Sequence, residues 1–298
     1  MPNREWNDQS HRRRLSREGQ AGQGLTGDPL PVLWSSVGVD RKTPNEAKIT
    51  AKCWRERGLS RSESHPREKW RGATLSDTNF RMARTKQQIF QQMSDAGVVA
   101  VIRAKSKDQL FDITQALLEG GVPSIEVTMS TPKAIAGIEA LADKFGDKAV
   151  VGVGTCIDAA TARDAIAAGA QFVVSPVFDP EIVATTIRYG KISVPGAYTP
   201  TEILRAWSAG CDVVKVFPAT TLGPGYFKDI LAPLPQLRLT PTGGVDTKTT
   251  PQWIKAGAVF VGAGSALVSK EAMDKGDWKT ITANAKAFVE AVKQGRAG

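Results

Sequence analysis

Histidine is all but missing from most of this chain: the only two, His11 and His65, fall within the first 81 residues. Acid-base chemistry in the remainder has to run without imidazole. A Ser-His-Asp or Cys-His catalytic unit cannot be assembled there, and zinc sites of the usual His-rich or Cys-rich kind are out of reach. Cysteine is scarce too. Cys53, Cys156 and Cys211 show neither paired nor C-x-x-C spacing, which excludes a disulfide framework and suits a reducing compartment, the cytoplasm. No apolar run approaches the about 18 residues that a transmembrane helix needs, so no membrane partner is expected.

Charge is unevenly spread. Residues 1–81 hold 16 of the 39 Lys and Arg and 10 of the 30 Asp and Glu, a net +6, leaving 23 basic and 20 acidic residues, a net +3, for residues 82–298. The basic balance is thus largely a property of the first 81 residues. These have no sustained period, carry Gly-, Ser- and Pro-bearing stretches such as 22–31, and include His11-Arg12-Arg13-Arg14; disorder is the default reading of such a segment. Trp6, Trp34, Trp54 and Trp70 are unusual in that class. Neither a signal peptide nor a transit peptide fits. Met82-Ala83-Arg84-Thr85-Lys86 looks like an ordinary beginning, so 1–81 reads as an extension upstream of a mis-called start. The alternative is a basic arm on nucleic acid, with salt-dependent affinity lost on its deletion; the preferred reading expects no nucleic-acid partner.

From residue 98 onward β-branched runs alternate with amphipathic stretches. Candidate strands lie at 98–102, 124–128, 149–153, 171–175, 192–195, 212–217, 237–240 and 259–262, their starts recurring every 20 to 26 residues. Between them, helices are predicted at 107–119, 133–145, 159–168 and 201–208, with Gly120, Gly169 and Gly210 placed as C-caps. Apolar strands in regular βα alternation argue a parallel sheet, and eight units argue a closed (β/α)8 barrel spanning 82–298. An open doubly wound sheet is the other arrangement the pattern allows.

One lysine interrupts an apolar run, Val213-Val214-Lys215-Val216-Phe217-Pro218 on the sixth strand. Most lysines in strand patterns sit on a solvated face. A buried one is different, because desolvation disfavours the ammonium and frees an amine able to attack a ketone. Glu126, in Ser124-Ile125-Glu126-Val127-Thr128, is the matching carboxylate. It is either a structurally paired charge or a general acid/base facing a Lys215 adduct across the barrel mouth. Arg103 closes the first strand and points a further cation at that mouth, unless it is paired locally.

Two glycine loops follow the last strands: Pro241-Thr242-Gly243-Gly244-Val245 and Gly262-Ala263-Gly264-Ser265. Glycine lets backbone N–H groups approach an anion, a helix N-terminus behind each loop adds its dipole, and barrels commonly hold phosphate there. Gly152-Val153-Gly154-Thr155 lacks a full dinucleotide fingerprint; its glycines read as room for substrate, with Thr155 offering a hydroxyl to a carboxylate.

In combination these residues resemble the class I pyruvate aldolases that act on 2-dehydro-3-deoxy-phosphogluconate (KDPG) and 4-hydroxy-2-oxoglutarate. The resemblance runs from about residue 97 to 267 and is carried by Ile125-Glu126-Val127-Thr128, Gly152-Val153-Gly154-Thr155, Ser175-Pro176, Pro195-Gly196, Lys215-Val216-Phe217-Pro218, Pro241-Thr242-Gly243-Gly244 and Gly264-Ser265, in order. It implies a Schiff base on Lys215, proton transfer by Glu126, and substrate contacts from Arg103, Thr155, Pro176, Phe217, Thr242, Gly243, Gly244, Gly264 and Ser265. It further implies a homotrimer without metal or cofactor that takes a small 2-oxo acid, typically phosphorylated. One position departs: where the phosphogluconate enzymes commonly carry an arginine four residues after the glutamate, this chain has Ser130. Arg103 is the compensating cation if the chain is of the phosphogalactonate type. Another barrel enzyme on a sugar phosphate is distinguished by borohydride trapping, and a sugar-phosphate-binding barrel without aldolase activity by ligand binding without turnover.

Overall fold

The computed structural model describes residues 84–297. The expectations for 1–81, for the domain boundary at 82 and for Cys53 lie outside the described residues. The strands are β1 (Val98–Ile102), β2 (Ser124–Thr128), β3 (Val150–Gly154), β4 (Phe172–Val174), β5 (Ile192–Val194), β6 (Gly196–Ala197), β7 (Val214–Val216), β8 (Leu239–Pro241) and β9 (Val261–Ala263). The helices are α1 (Lys86–Ala96), α2 (Lys107–Glu119), α3 (Ala134–Phe145), α4 (Ala159–Ala167), α5 (Pro180–Arg188), α6 (Pro200–Ser208), α7 (Gly225–Leu231), α8 (Thr250–Lys255), α9 (Lys270–Lys275) and α10 (Trp278–Ala297).

All strand pairs are parallel, in the orders β5-β4-β3-β2-β1-β9 and β6-β7-β8. The two sheets are one surface. β5 and β6 form a single stave interrupted at Pro195, which has no N–H to give the ladder. Parallel bridges Leu239↔Ala258 and Thr242↔Gly262 join β8 to the β9 stave. Eight staves therefore close into the expected (β/α)8 barrel, and that closure excludes the open doubly wound sheet.

Strand alternation sorts the apolar residues into two layers. Ile125, Val127, Val151, Val153, Val214 and Val216 point outward and are buried under the helices. Val99, Val150, Phe172, Val174, Ile192 and Phe260 point inward, where Ile89 and Met93 of α1 plug the N-terminal end. Apolar periodicity does not pick out α1, which is mostly polar. Its signals are local: a capping box between Thr85 and Gln88, and Gly97 in the left-handed region at φ 69°. Arg84 fastens the same end, its Nη2 donating to the carbonyls of Gly146 at 2.6 Å and Ala149 at 2.7 Å.

Gly169 and Gly210 adopt the left-handed conformation expected past a helix end, at φ 101° and 87°. Gly120 does not. It is right-handed at φ −85°, and Gly121 takes the left-handed place at φ 85°. Gly120 is small for packing: a methyl group there would overlap the Ala285 Cβ and stand 2.9 Å from the Thr282 carbonyl oxygen of α10.

Candidate active site

The pleat that turns Val214 and Val216 outward turns Lys215 inward, in register with Gly196 on one side and Thr240 on the other. By the same alternation Ser124, Glu126 and Thr128 face the interior, Glu126 in register with Val101 and Gly152. Glu126 stands on the second stave and Lys215 on the sixth, opposite one another across the barrel. They are 3 % and 6 % exposed and are the only two buried charged side chains among the described residues. The ion pairs of the described residues all lie elsewhere. Between and below Glu126 and Lys215 is a cavity of about 10 Å³, lined also by Phe172, Thr240, Thr242 and Gly262, room for about one water.

Burial pushes the Glu126 carboxyl above the ordinary carboxylate range, and the positive charges of Lys215 and Arg103 pull the other way without offsetting it. The Lys215 Nζ lies 5.0 Å from the Phe217 ring centroid. The two cysteines among the described residues offer no competing nucleophile: burial pushes the Cys156 thiol up to about 11 and the Cys211 thiol up to about 12.

Above this interior lies a cleft of about 320 Å³ that gathers Arg103, Phe217, Thr242, Gly243, Gly244, Gly264 and Ser265 at the C-terminal rim. Arg103 has no ion-pair partner among the described residues. Gly243 and Gly244 are left-handed, at φ 96° and 71°, conformations that favour glycine. The N–H groups of Gly243, Gly244, Ser265 and Ala266 reach no backbone carbonyl within the described residues. Four free donors and a guanidinium around one cleft make an anion cradle. The helix expected behind each loop is absent. Ser265 begins a single turn in which Leu267 and Val268 donate back to the Gly264 carbonyl, and α8 starts only at Thr250. The cradle is thus loop backbone, not helix dipole.

The remaining expected residues sit around the same mouth in a different grouping. Pro176 lines a second cleft of about 300 Å³ with Phe178, Tyr198, Glu202 and Arg205, and Phe217 separates the two clefts. Thr155 borders neither. It ends the β3 stave, exposed, at φ 58°, a left-handed conformation strained for a β-branched residue. The glycines before it are not open space for substrate. A methyl group on Gly152 would stand 2.5 Å from the Phe172 ring, and one on Gly154 would fall on the Glu126 carboxyl. Sequence reasoning passed over Thr240, whose hydroxyl donates to the Phe260 carbonyl at 2.8 Å, and Asp246, which joins the first cleft while accepting from the Lys248 and Thr249 amides. Thr240 was findable by its parity with Thr242.

Comparison with known proteins decides which chemistry this mouth descends from. The family model for KDPG and KHG aldolase matches residues 89–284. The chain belongs to the KDPG and KHG aldolase family. The 2-dehydro-3-deoxy-phosphogluconate aldolase of Treponema pallidum is 34 % identical over 205 residues, covering 68 % of this chain and 97 % of that protein. The 2-dehydro-3-deoxy-6-phosphogalactonate aldolase of Escherichia coli is 30 % identical over 197 residues, covering 66 % and 96 %. Among solved structures, the KDPG aldolase of Legionella pneumophila with pyruvate captured as a covalent carbinolamine superposes with a TM-score of 0.63 at 30 % identity, covering 67 % of this chain and 98 % of that one. Membership in this aldolase family excludes neither substrate type, since relatives named for both are similar to a comparable degree.

Proposed function

We propose that this chain is a class I aldolase that cleaves a 2-oxo-3-deoxy sugar acid phosphate of the KDPG type, or 4-hydroxy-2-oxoglutarate, to pyruvate and an aldehyde. The observation that carries the reading is the pair of buried charged side chains, Lys215 and Glu126, facing each other beneath an anion cradle. The Lys215 amine attacks C2 of the substrate to give a carbinolamine, and a proton taken from solvent at the open mouth lets its hydroxyl leave as water, giving a protonated imine; the proton is returned when the imine is hydrolysed. The imine is an electron sink. Glu126 takes the proton of the C4 hydroxyl, the C3–C4 bond breaks, and its electron pair passes into an enamine while the aldehyde departs. Protonation at C3 and attack of water on the resulting imine release pyruvate and restore the amine. A phosphate held by Arg103 and the Gly243-Gly244 and Gly264-Ser265 loops supplies remote binding energy that positions C2 and C4.

A specific observation favours the phosphogalactonate-type substrate as a second reading. Ser130 carries no charge, and its hydroxyl is already hydrogen-bonded to Thr128 at 2.8 Å, so Arg103 is the cation left to grip an anionic end. We place the catalytic domain at 82–298, supported by the Arg84 anchor on the barrel, the assembly as a homotrimer, supported by Ile157 and Val177 exposed at 67 % and 57 % on the rim, and the location in the cytoplasm, supported by the unpaired thiols of Cys156 and Cys211. Borohydride reduction with pyruvate tests the chemistry: a mass adduct on Lys215 and irreversible loss of activity are expected. A panel of 2-oxo acids assayed for pyruvate release ranks the substrates. Light scattering during gel filtration reads the assembly.

A further inference from the structure

The Glu126 carboxyl is held in place by an absence. Apart from Gly154 itself and its two chain neighbours, the three heavy atoms nearest to where a β-carbon on Gly154 would stand are the Oε1, Cδ and Cγ of Glu126, the last two at 2.6 Å. Real β-carbons do not approach other atoms that closely, so the side chain occupies the volume that any larger residue at 154 would fill. The backbone is not the reason for glycine here, because Gly154 is not among the glycines with positive φ. Register explains the contact: Thr128 pairs with Gly154 and Glu126 with Gly152, so the glutamate leans along its strand towards the rim and over the next inward-facing position of β3. Gly152 is already taken by the Phe172 ring. Below, the interior holds only about 10 Å³ of free space, so a displaced carboxyl has room only upward, in the open mouth.

We propose that Gly154 is a positioning residue that sets where Glu126 presents its carboxyl to the substrate. The role rests on the aldolase reading above. A methyl group at 154 drives the carboxyl out of its enclosed slot towards water and away from the C4 hydroxyl. Imine formation on Lys215, across the barrel, does not depend on it. The charged groups acting on Glu126 are Lys215 and Arg103; with both unchanged, loss of burial is the dominant change and moves the carboxyl's titration to lower pH.

The test uses full-length Gly154→Ala, Glu126→Gln and the double variant. Gly154→Ala is expected to keep the borohydride adduct with pyruvate, to lose at least about 10-fold in kcat with KM changed less, and to shift the limb of the pH-rate profile that Glu126→Gln abolishes. The double variant should be no slower than Glu126→Gln alone, since displacing a group that no longer transfers protons costs nothing further. Parent kcat and pH profile in Gly154→Ala, or losses that multiply in the double variant, overturn the proposal. Thermal melting separates its failure from that of the aldolase reading. Gly154→Ala should lower Tm in the parent but not in a Glu126→Ala background, where the space is free, and this coupling requires no turnover. Absent coupling overturns the contact itself; coupling in a parent that never forms an adduct overturns only the aldolase chemistry.

Discussion

At the N-terminal end of the staves the barrel interior is filled by Ile89, Met93, Val99, Val150, Phe172 and Phe260, whereas at the C-terminal end the same staves present Glu126, Lys215, Thr240 and Thr242 with glycines between them. The lower half is an ordinary core, close-packed and without charge. The upper half takes two ionisable side chains out of water with no ion-pair partner among the described residues, an arrangement that costs stability. Its glycines show the consequence. Gly154 gives way to Glu126, and Gly262 to Thr242, where a methyl group would overlap the threonine hydroxyl. The stability of one half carries the unfavourable burial of the other, and substitutions in the two halves should therefore fail in different ways.

The sharpest separation comes from Lys215→Arg. The guanidinium keeps the charge but cannot form an imine, so pyruvate release should fall by orders of magnitude while circular dichroism stays that of the parent. Retained cleavage would sink the imine chemistry. Next in size, Glu126→Gln should slow turnover by about 10²- to 10⁴-fold yet leave the borohydride adduct forming. A parent-like rate would move the acid/base role to another group. The lower half should behave in reverse. Phe172→Ala empties a fully buried ring site and should cost about 3–5 kcal/mol of stability, read as a lower denaturant midpoint. A loss confined to kcat with an unchanged midpoint would erase the distinction between the halves.

Smaller effects test the rim. Arg103→Ala should raise KM for a phosphorylated substrate, with about 1.5–3 kcal/mol available from a charged hydrogen bond, and Gly244→Asp should do the same by placing a negative charge in the cradle. Unphosphorylated 2-oxo acids should suffer less from both. Equal losses on the two substrate types would show the loops to be structural. Ser130→Arg should lower KM for KDPG if the missing cation limits binding. If Arg103 already fills that role, the change should help little.

What was legible from the sequence follows the same division. Seven of the eight staves are read within about two residues because an apolar run between amphipathic helices needs no knowledge of partners. The fifth is broken at Pro195, a residue visible in advance whose effect depends on the strand beside it. Lys215 and Glu126 stand out because a charge inside a β-branched run violates the pattern. The reason for a glycine is another matter. Gly120, Gly152 and Gly154 answer to Ala285, Phe172 and Glu126, contacts made 165, 20 and 28 residues away in the chain, and no local rule carries that information. Helix α1 was missed for a related reason: Ile89 and Met93 plug a barrel that exists only once all staves are assembled.

The smallest effect expected is also the one that reads the buried charge directly, as a dependence of stability on pH. Burial holds the Glu126 carboxyl above its unfolded value, so between the two values the folded chain binds more protons than the unfolded one. Stability contributed by the neutral acid is then complete below the unfolded value and is lost as pH rises through the folded one. Glu126→Gln removes the ionisation while keeping the shape. Its Tm relative to the parent should rise as the pH is raised through the folded-state titration of Glu126, where the parent gains a buried carboxylate that the variant cannot form. The difference shares its cause with the kinetic loss but has the opposite sign, slower turnover with a steadier fold. A Tm difference that is flat from acid to alkaline pH would mean that Lys215 and Arg103 fully offset the burial. The upper half of the barrel would then impose no electrostatic cost on the lower.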